Sequence, residues 1–149
     1  MPSIDRADWH LNENFPENLP EENSATHIGM YINWIIDNNL IGEIHIEDSS
    51  EGINAVKSKK ITGRDFFFDY CDGKFWNDDL NAIGLLFTEN YYSSNKYYED
   101  YASNLDNGGE TIFTIENSWE NYRKLRKVID KRFKTWELKM NKKPWEFWK

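Results

Sequence analysis

Apolar residues recur at three- and four-residue steps between positions 24 and 39, where Ile28, Tyr31, Ile32, Ile35 and Ile36 form a stripe that Trp34 broadens. That spacing lines one face of an α-helix. The stretch is the most apolar in an otherwise polar chain. It predicts a central helix with Asn23 or Ser24 as its cap and Asn38-Asn39 at its end. His27 and Trp34 stand two turns apart along one face of it.

Further segments repeat the helical step. Thr62-Gly-Arg-Asp65 has the spacing of a capping box ahead of Phe66, Phe67, Phe68, Tyr70 and Cys71, and Asp72-Gly73 ends the run. Asn77-Asp-Asp79 opens a helix predicted over 77–103, on which Leu80, Ile83, Phe87, Tyr91 and Tyr98 share a face, with Asp78 and Asp79 at the positive end of its dipole. Asn117 or Ser118 caps the last and cleanest pattern, over 118–141. There Trp119, Tyr122, Leu125 or Arg126, Ile129, Phe133, Trp136 and Met140 lie opposite Arg123, Lys124, Lys127, Lys131 and Lys134, and Pro144 stops the helix.

The connecting segments are less periodic. Residues 1–22 read as an irregular arm, anchored by Trp9, Phe15 and Leu19, kept out of a helix by Pro16 and Pro20, and packed across the core. Residues 40–46 fit a short strand or a turn of helix equally well, and a serine after Glu47-Asp48 caps a short helix through Val56 and Lys57. Asp106-Asn-Gly-Gly109 breaks the chain before the β-favouring Glu110–Glu116. Trp145, Phe147 and Trp148 form an aromatic tail over 142–149, expected to tuck back. The pattern as a whole predicts a mainly α fold, α+β at most: one domain over 1–149 with a small β element around 41–46 and 110–116.

Composition changes this picture little, but charge changes it. Aromatics make up 16% of the 149 residues, enough for a substantial core at this length. Residues 1–119 carry 22 acidic and 7 basic side chains, a net of −15, whereas residues 120–149 carry 11 basic and 4 acidic, a net of +7. An acidic body repels nucleic acid and suits a basic protein partner. No apolar run is long enough for a membrane helix, no signal peptide is visible, and the single Cys71 fits a reducing compartment, so a cytoplasmic protein is expected.

Candidate chemistry is sparse. There is no CxxC, HExxH, GxGxxG, GxxxxGK[ST] or GxSxG, so no metal, no cofactor and no catalytic residue is expected. Cys71 reads as a buried helix-end thiol, and His27 as a structural residue bonded to the backbone of the arm. His10 and His27 converge only if the arm folds onto the central helix. On the anchor reading, Trp9→Ala should cost about 3 kcal/mol or more.

Trp9-His10, Phe15-Pro16, Leu19-Pro20, Ala25-Thr26-His27-Ile28-Gly29-Met30 and Trp34 together resemble a bacterial family of uncharacterised small proteins. In that family a Trp-His, Phe-Pro, Leu-Pro arm leads into an Ala-Thr-His-Ile-Gly helix. Thr62-Gly63, Cys71-Asp-Gly-Lys-Phe75 and Tyr122 with Ile129-Asp-Lys-Arg-Phe133 are similar to its later motifs. Such proteins resemble the immunity proteins of polymorphic or contact-dependent toxin systems. The resemblance implies a non-enzymatic protein that binds a cognate basic toxin, of nuclease type, and blocks it. The carboxylates expected to contribute are Glu47, Asp48 and Glu51, with Asp69, Asp72, Asp78 and Asp79 as a second cluster. The competing expectation is a small enzyme or ligand-binding domain with a pocket near His10 and His27, which both histidines and a perturbed carboxylate in one pocket would favour.

Overall fold

The computed structural model describes residues 3–105 and 111–147, with side chains described up to residue 141. The central helix is α1, Thr26–Asp37, and every residue from Thr26 to Ile36 is buried. An amphipathic stripe is therefore an understatement. The other elements pack all round it, so His27 and Asn33 are buried as completely as the isoleucines. Neither Asn23 nor Ser24 caps it: the chain arrives through a 3-10 turn, Glu21–Ala25, Asn23 donates instead to the Phe113 carbonyl (3.0 Å), and Ser24 Oγ has no partner among the described residues.

Two short helices follow, α2 (Glu43–Asp48) and α3 (Ser50–Lys57), and then α4 (Gly63–Cys71). The capping box on α4 is present as predicted: Thr62 Oγ1 accepts from Asp65 N–H (3.1 Å) and Asp65 Oδ2 accepts from Thr62 N–H (3.0 Å). α4 lies directly on α1. A Cβ on Gly29 would sit 2.4 Å from Arg64 Cα, and one on Gly63 would sit 2.1 Å from the Gly29 carbonyl oxygen. These two glycines let the helices meet backbone to backbone. Thr26 accepts from Arg64 across the same contact (2.9 Å), and Asn33 accepts from Gly63 N–H (3.1 Å).

A small β element exists, but not where the alternation predicts it. Residues 41–46 become α2 apart from an isolated bridge between Ile41 and Leu80, and Ile112–Thr114 forms a 3-10 turn. Alternation over so few residues does not separate a strand from a turn of helix. The sheet pairs the start of the arm, β1 (Ser3–Arg6), with β2 (Lys74–Trp76), antiparallel. An irregularity between Ser3 and Asp5 sets the register, with Asp5 opposite Phe75 and its side chain buried.

The helix predicted over 77–103 is three pieces: a 3-10 turn Asn77–Asp79, α5 (Ala82–Tyr91) and α6 (Lys96–Asn104). Asn81, not Asn77, caps α5, accepting from Gly84 N–H at 2.8 Å, and Asn95 in a left-handed conformation (φ 71) turns the chain into α6. The last helix, α7 (Trp119–Phe147), starts where Ser118 accepts from Asn121 N–H (3.1 Å) and buries Tyr122, Leu125 and Ile129. It continues past Pro144, because a proline deletes one hydrogen bond of a ladder that neighbouring turns still hold. Asp106–Glu110 and Trp148, like the side chains of Trp145 and Phe147, lie outside the described residues, as does the tucked tail. Among the described residues no helix is long and apolar enough to cross a membrane.

Candidate functional site

The arm folds onto α1 and closes a polar cluster inside the protein. β1 carries Asp5, and a 3-10 turn, Ala7–His10, follows at once and swings His10 back over it. His10 Nε2 lies 2.7 Å from Asp5 Oδ1, and His27 Nε2, from the first turn of α1, lies 3.3 Å from Asp5 Oδ2. The two imidazoles meet edge to face with centroids 4.7 Å apart. From the other side Tyr92 and Tyr98 both donate to Asp5 Oδ2, at 2.6 and 2.7 Å. The Tyr98 oxygen is also 3.2 Å from His27 Nε2 and 3.5 Å from His10 Nε2. Phe113 covers the group, its ring 5.8 Å from that of His10.

The electrostatics follow from this crowding. Burial alone would raise the Asp5 carboxyl, but hydrogen bonds from His10 and His27 and the charge those rings can carry hold it well below the carboxylate range. Burial pulls His27 below its ordinary value against the pull of Asp5, so its imidazole stays neutral at neutral pH. Burial and the Asp5 charge push both tyrosines far up, so they remain hydroxyl donors. The result is one buried carboxyl group ringed by two imidazoles and two phenol donors. His27 is thus held by side chains of the arm and of α6, not by the arm's backbone. A depression of about 420 Å³ beside the arm is lined by Ala7, Leu11, Glu22, Asp65 and Phe68 among others, and neither histidine reaches it.

A second cluster joins α2, α3, α4 and β2. His45 Nε2 lies 2.6 Å from Asp79 Oδ1 and 3.8 Å from Cys71 Sγ, while its Nδ1 faces Ser49 Oγ at 3.1 Å. Asp79 Oδ2 also accepts from Trp76 N–H (2.9 Å). Ser49 therefore spends its hydroxyl on His45 and caps α3 with no side-chain bond. Asp79 is buried and engaged, so it is no part of a partner-binding surface, and its role at a helix start reduces to the bond to Trp76. Burial raises the Cys71 thiol, and Asp79 adds to that, so the thiol form is favoured over the thiolate.

The remaining predicted carboxylates, Glu47, Asp48, Glu51, Asp69, Asp72 and Asp78, are all exposed. Tyr70 of α4 packs on Gly52 of α3, which brings the elements carrying the two sets side by side. In the arm Phe15 and Leu19 are half-buried, but Trp9 is 52% exposed. The turn that buries Ala7 and points His10 inward leaves Asp8 and Trp9 between them facing out. Trp34 is fully buried and donates to Asp130 at 2.8 Å, clamping α7 to α1. Asp5, Tyr92 and Tyr98 escaped the sequence reading. Asp5 stands in a strand too short to show a period, and the tyrosines look like ordinary core positions of one long helix.

No curated protein and no solved structure matches the chain. The family model described as a domain of unknown function (DUF7832) matches residues 3–115, a span that holds both clusters and ends before α7. With most of its length so matched, the chain belongs to the DUF7832 family.

Proposed function

We propose that this protein is a binding module that recognises a basic protein partner, in the manner of an immunity protein that occludes a toxin domain, and that it is not an enzyme. One observation supports this reading above others. Glu43, Glu47, Asp48 and Glu51 are exposed on α2 and α3 with no base within ion-pair distance among the described residues, and Ile44 and Ile46 between them are 47% and 56% exposed. Unneutralised carboxylates steer a basic surface, and apolar side chains among them supply the area that holds it. The basic face of α7 is exposed too, but its Arg132 is drawn into a bidentate pair with Asp100, at 2.9 and 3.0 Å.

The test is co-purification of the full chain with the product of the gene beside its own, then the same with Glu47→Lys, Asp48→Lys and Glu51→Lys combined. A complex that weakens at least tenfold in the folded triple variant supports the reading. No complex, or one indifferent to the reversal, overturns it. The convergence of His10 and His27 on Asp5 favours a second reading, a ligand-binding domain, although neither histidine lines the depression beside the arm.

A further inference from the structure

We propose that Asp5, His10 and His27 bind a divalent transition-metal ion of the zinc class, with the Tyr98 oxygen at the fourth corner. Two imidazole nitrogens and one carboxylate are a donor set that borderline ions such as zinc, cobalt and ferrous iron take up as three protein ligands with one position left over. The three ligand atoms lie within 4.8 Å of one another. A tetrahedral ion with bonds of about 2.0–2.1 Å requires ligand atoms about 3.3 Å apart. The distances found are 3.3 Å from Asp5 Oδ2 to His27 Nε2, 3.2 Å from Tyr98 to His27 and 3.5 Å from Tyr98 to His10. Two ligand pairs are closer, His10 Nε2 to Asp5 Oδ1 and the Tyr98 oxygen to Asp5 Oδ2, each at 2.7 Å, and both must open for an ion to enter. His10 is the ligand best able to give way, because it stands on a 3-10 turn with its side chain 20% exposed.

Charge points the same way. Asp5 is a buried carboxyl group whose partners among the described residues are imidazoles, phenols and a backbone N–H, with no Arg or Lys. Buried charges are otherwise paired with a cation or coordinate a metal. A divalent ion would take the place of the hydrogen bonds that now run between ligand atoms, and the exposed edge of His10 marks its way in. The cluster of His45, Cys71 and Asp79 offers a single imidazole, whose Nε2 faces Asp79 at 2.6 Å and Cys71 at 3.8 Å.

The full chain, stripped with chelator, is titrated with zinc sulfate by calorimetry and with cobalt chloride by visible absorption. One zinc per chain and the intense ligand-field band of tetrahedral cobalt are expected. His10→Ala should weaken zinc by more than roughly a hundredfold, beyond what loss of an outer-shell partner costs. Asp5→Asn, which keeps the shape and removes the charge, should do the same if His10→Ala fails to fold. Tyr98→Phe should keep the zinc but change the cobalt spectrum, and His45→Gln should leave both untouched. Absence of zinc heat and of the cobalt band at micromolar protein overturns the proposal. So does binding that survives His10→Ala and Asp5→Asn or disappears with His45→Gln. The proposal stands apart from the docking face on α2 and α3, so either can fail alone.

Discussion

Asp5 ties together pieces of chain that are distant in sequence: the arm, the first turn of α1, and Tyr92 and Tyr98 some ninety positions on. That makes its neighbourhood acid-sensitive in a defined direction. His27, depressed by burial, takes up a proton more readily once unfolded, so its contribution is complete above about 6.5 and is lost as pH falls through that value. Asp5, held low, contributes fully above about 3.9 and loses its part as pH falls further. Asp37, raised by burial against Tyr122, works the other way. Metal-free protein should therefore melt lower at pH 5 than at pH 7.5, and His27→Gln should flatten that difference; an unchanged slope contradicts it. Burial separates Trp34, read as part of the central helical stripe and fully buried, from Trp9, read as an anchor of the arm and 52% exposed. Trp34→Ala should cost about 3–5 kcal/mol by denaturant unfolding, and Trp9→Ala about 1 kcal/mol or less. That His27 stands in the first turn of the most apolar helix was legible. Its partners were not, because nothing local announces a contact between a four-residue strand and a helix ninety residues later.

At the scale of elements, legibility followed length and capping chemistry. The patterns behind α1, α4 and α7 are long or well capped, and each element stands where its pattern lies. The 77–103 pattern failed at Ser93-Ser94-Asn95, where a left-handed asparagine breaks a helix that the apolar spacing carries straight through. The β1–β2 pair was illegible because neither strand exceeds two periods of alternation and each gains its stability from the partner. The Thr-His-Ile-Gly and Thr-Gly segments have a concrete task at this level: Gly29 and Gly63 set how closely α1 and α4 approach. Gly29→Ala would force Arg64 and its helix outward. It should cost at least the roughly 1–3 kcal/mol of an overpacked core, read as a lowered denaturant midpoint. A midpoint within error of the parent would mean that the helices are not in backbone contact.

Across the whole molecule the dominant feature is the separation of charge, an acidic body of net −15 against a C-terminal segment of net +7. α7 pairs Arg132 with Asp100 of the body but leaves Arg123, Lys124, Lys127, Lys131 and Lys134 facing solvent. A molecule so polarised presents its carboxylates to whatever it meets, and those on α2 and α3 surround the exposed Ile44 and Ile46. The most direct measurement is the association rate of the full chain with its neighbouring gene's product across a series of salt concentrations. Docking through the acidic face predicts a fast rate that falls steeply as salt rises. The Glu47, Asp48 and Glu51 reversal should lower it at least tenfold at low salt and flatten the dependence. A rate indifferent to salt and to the reversal would contradict recognition by this face.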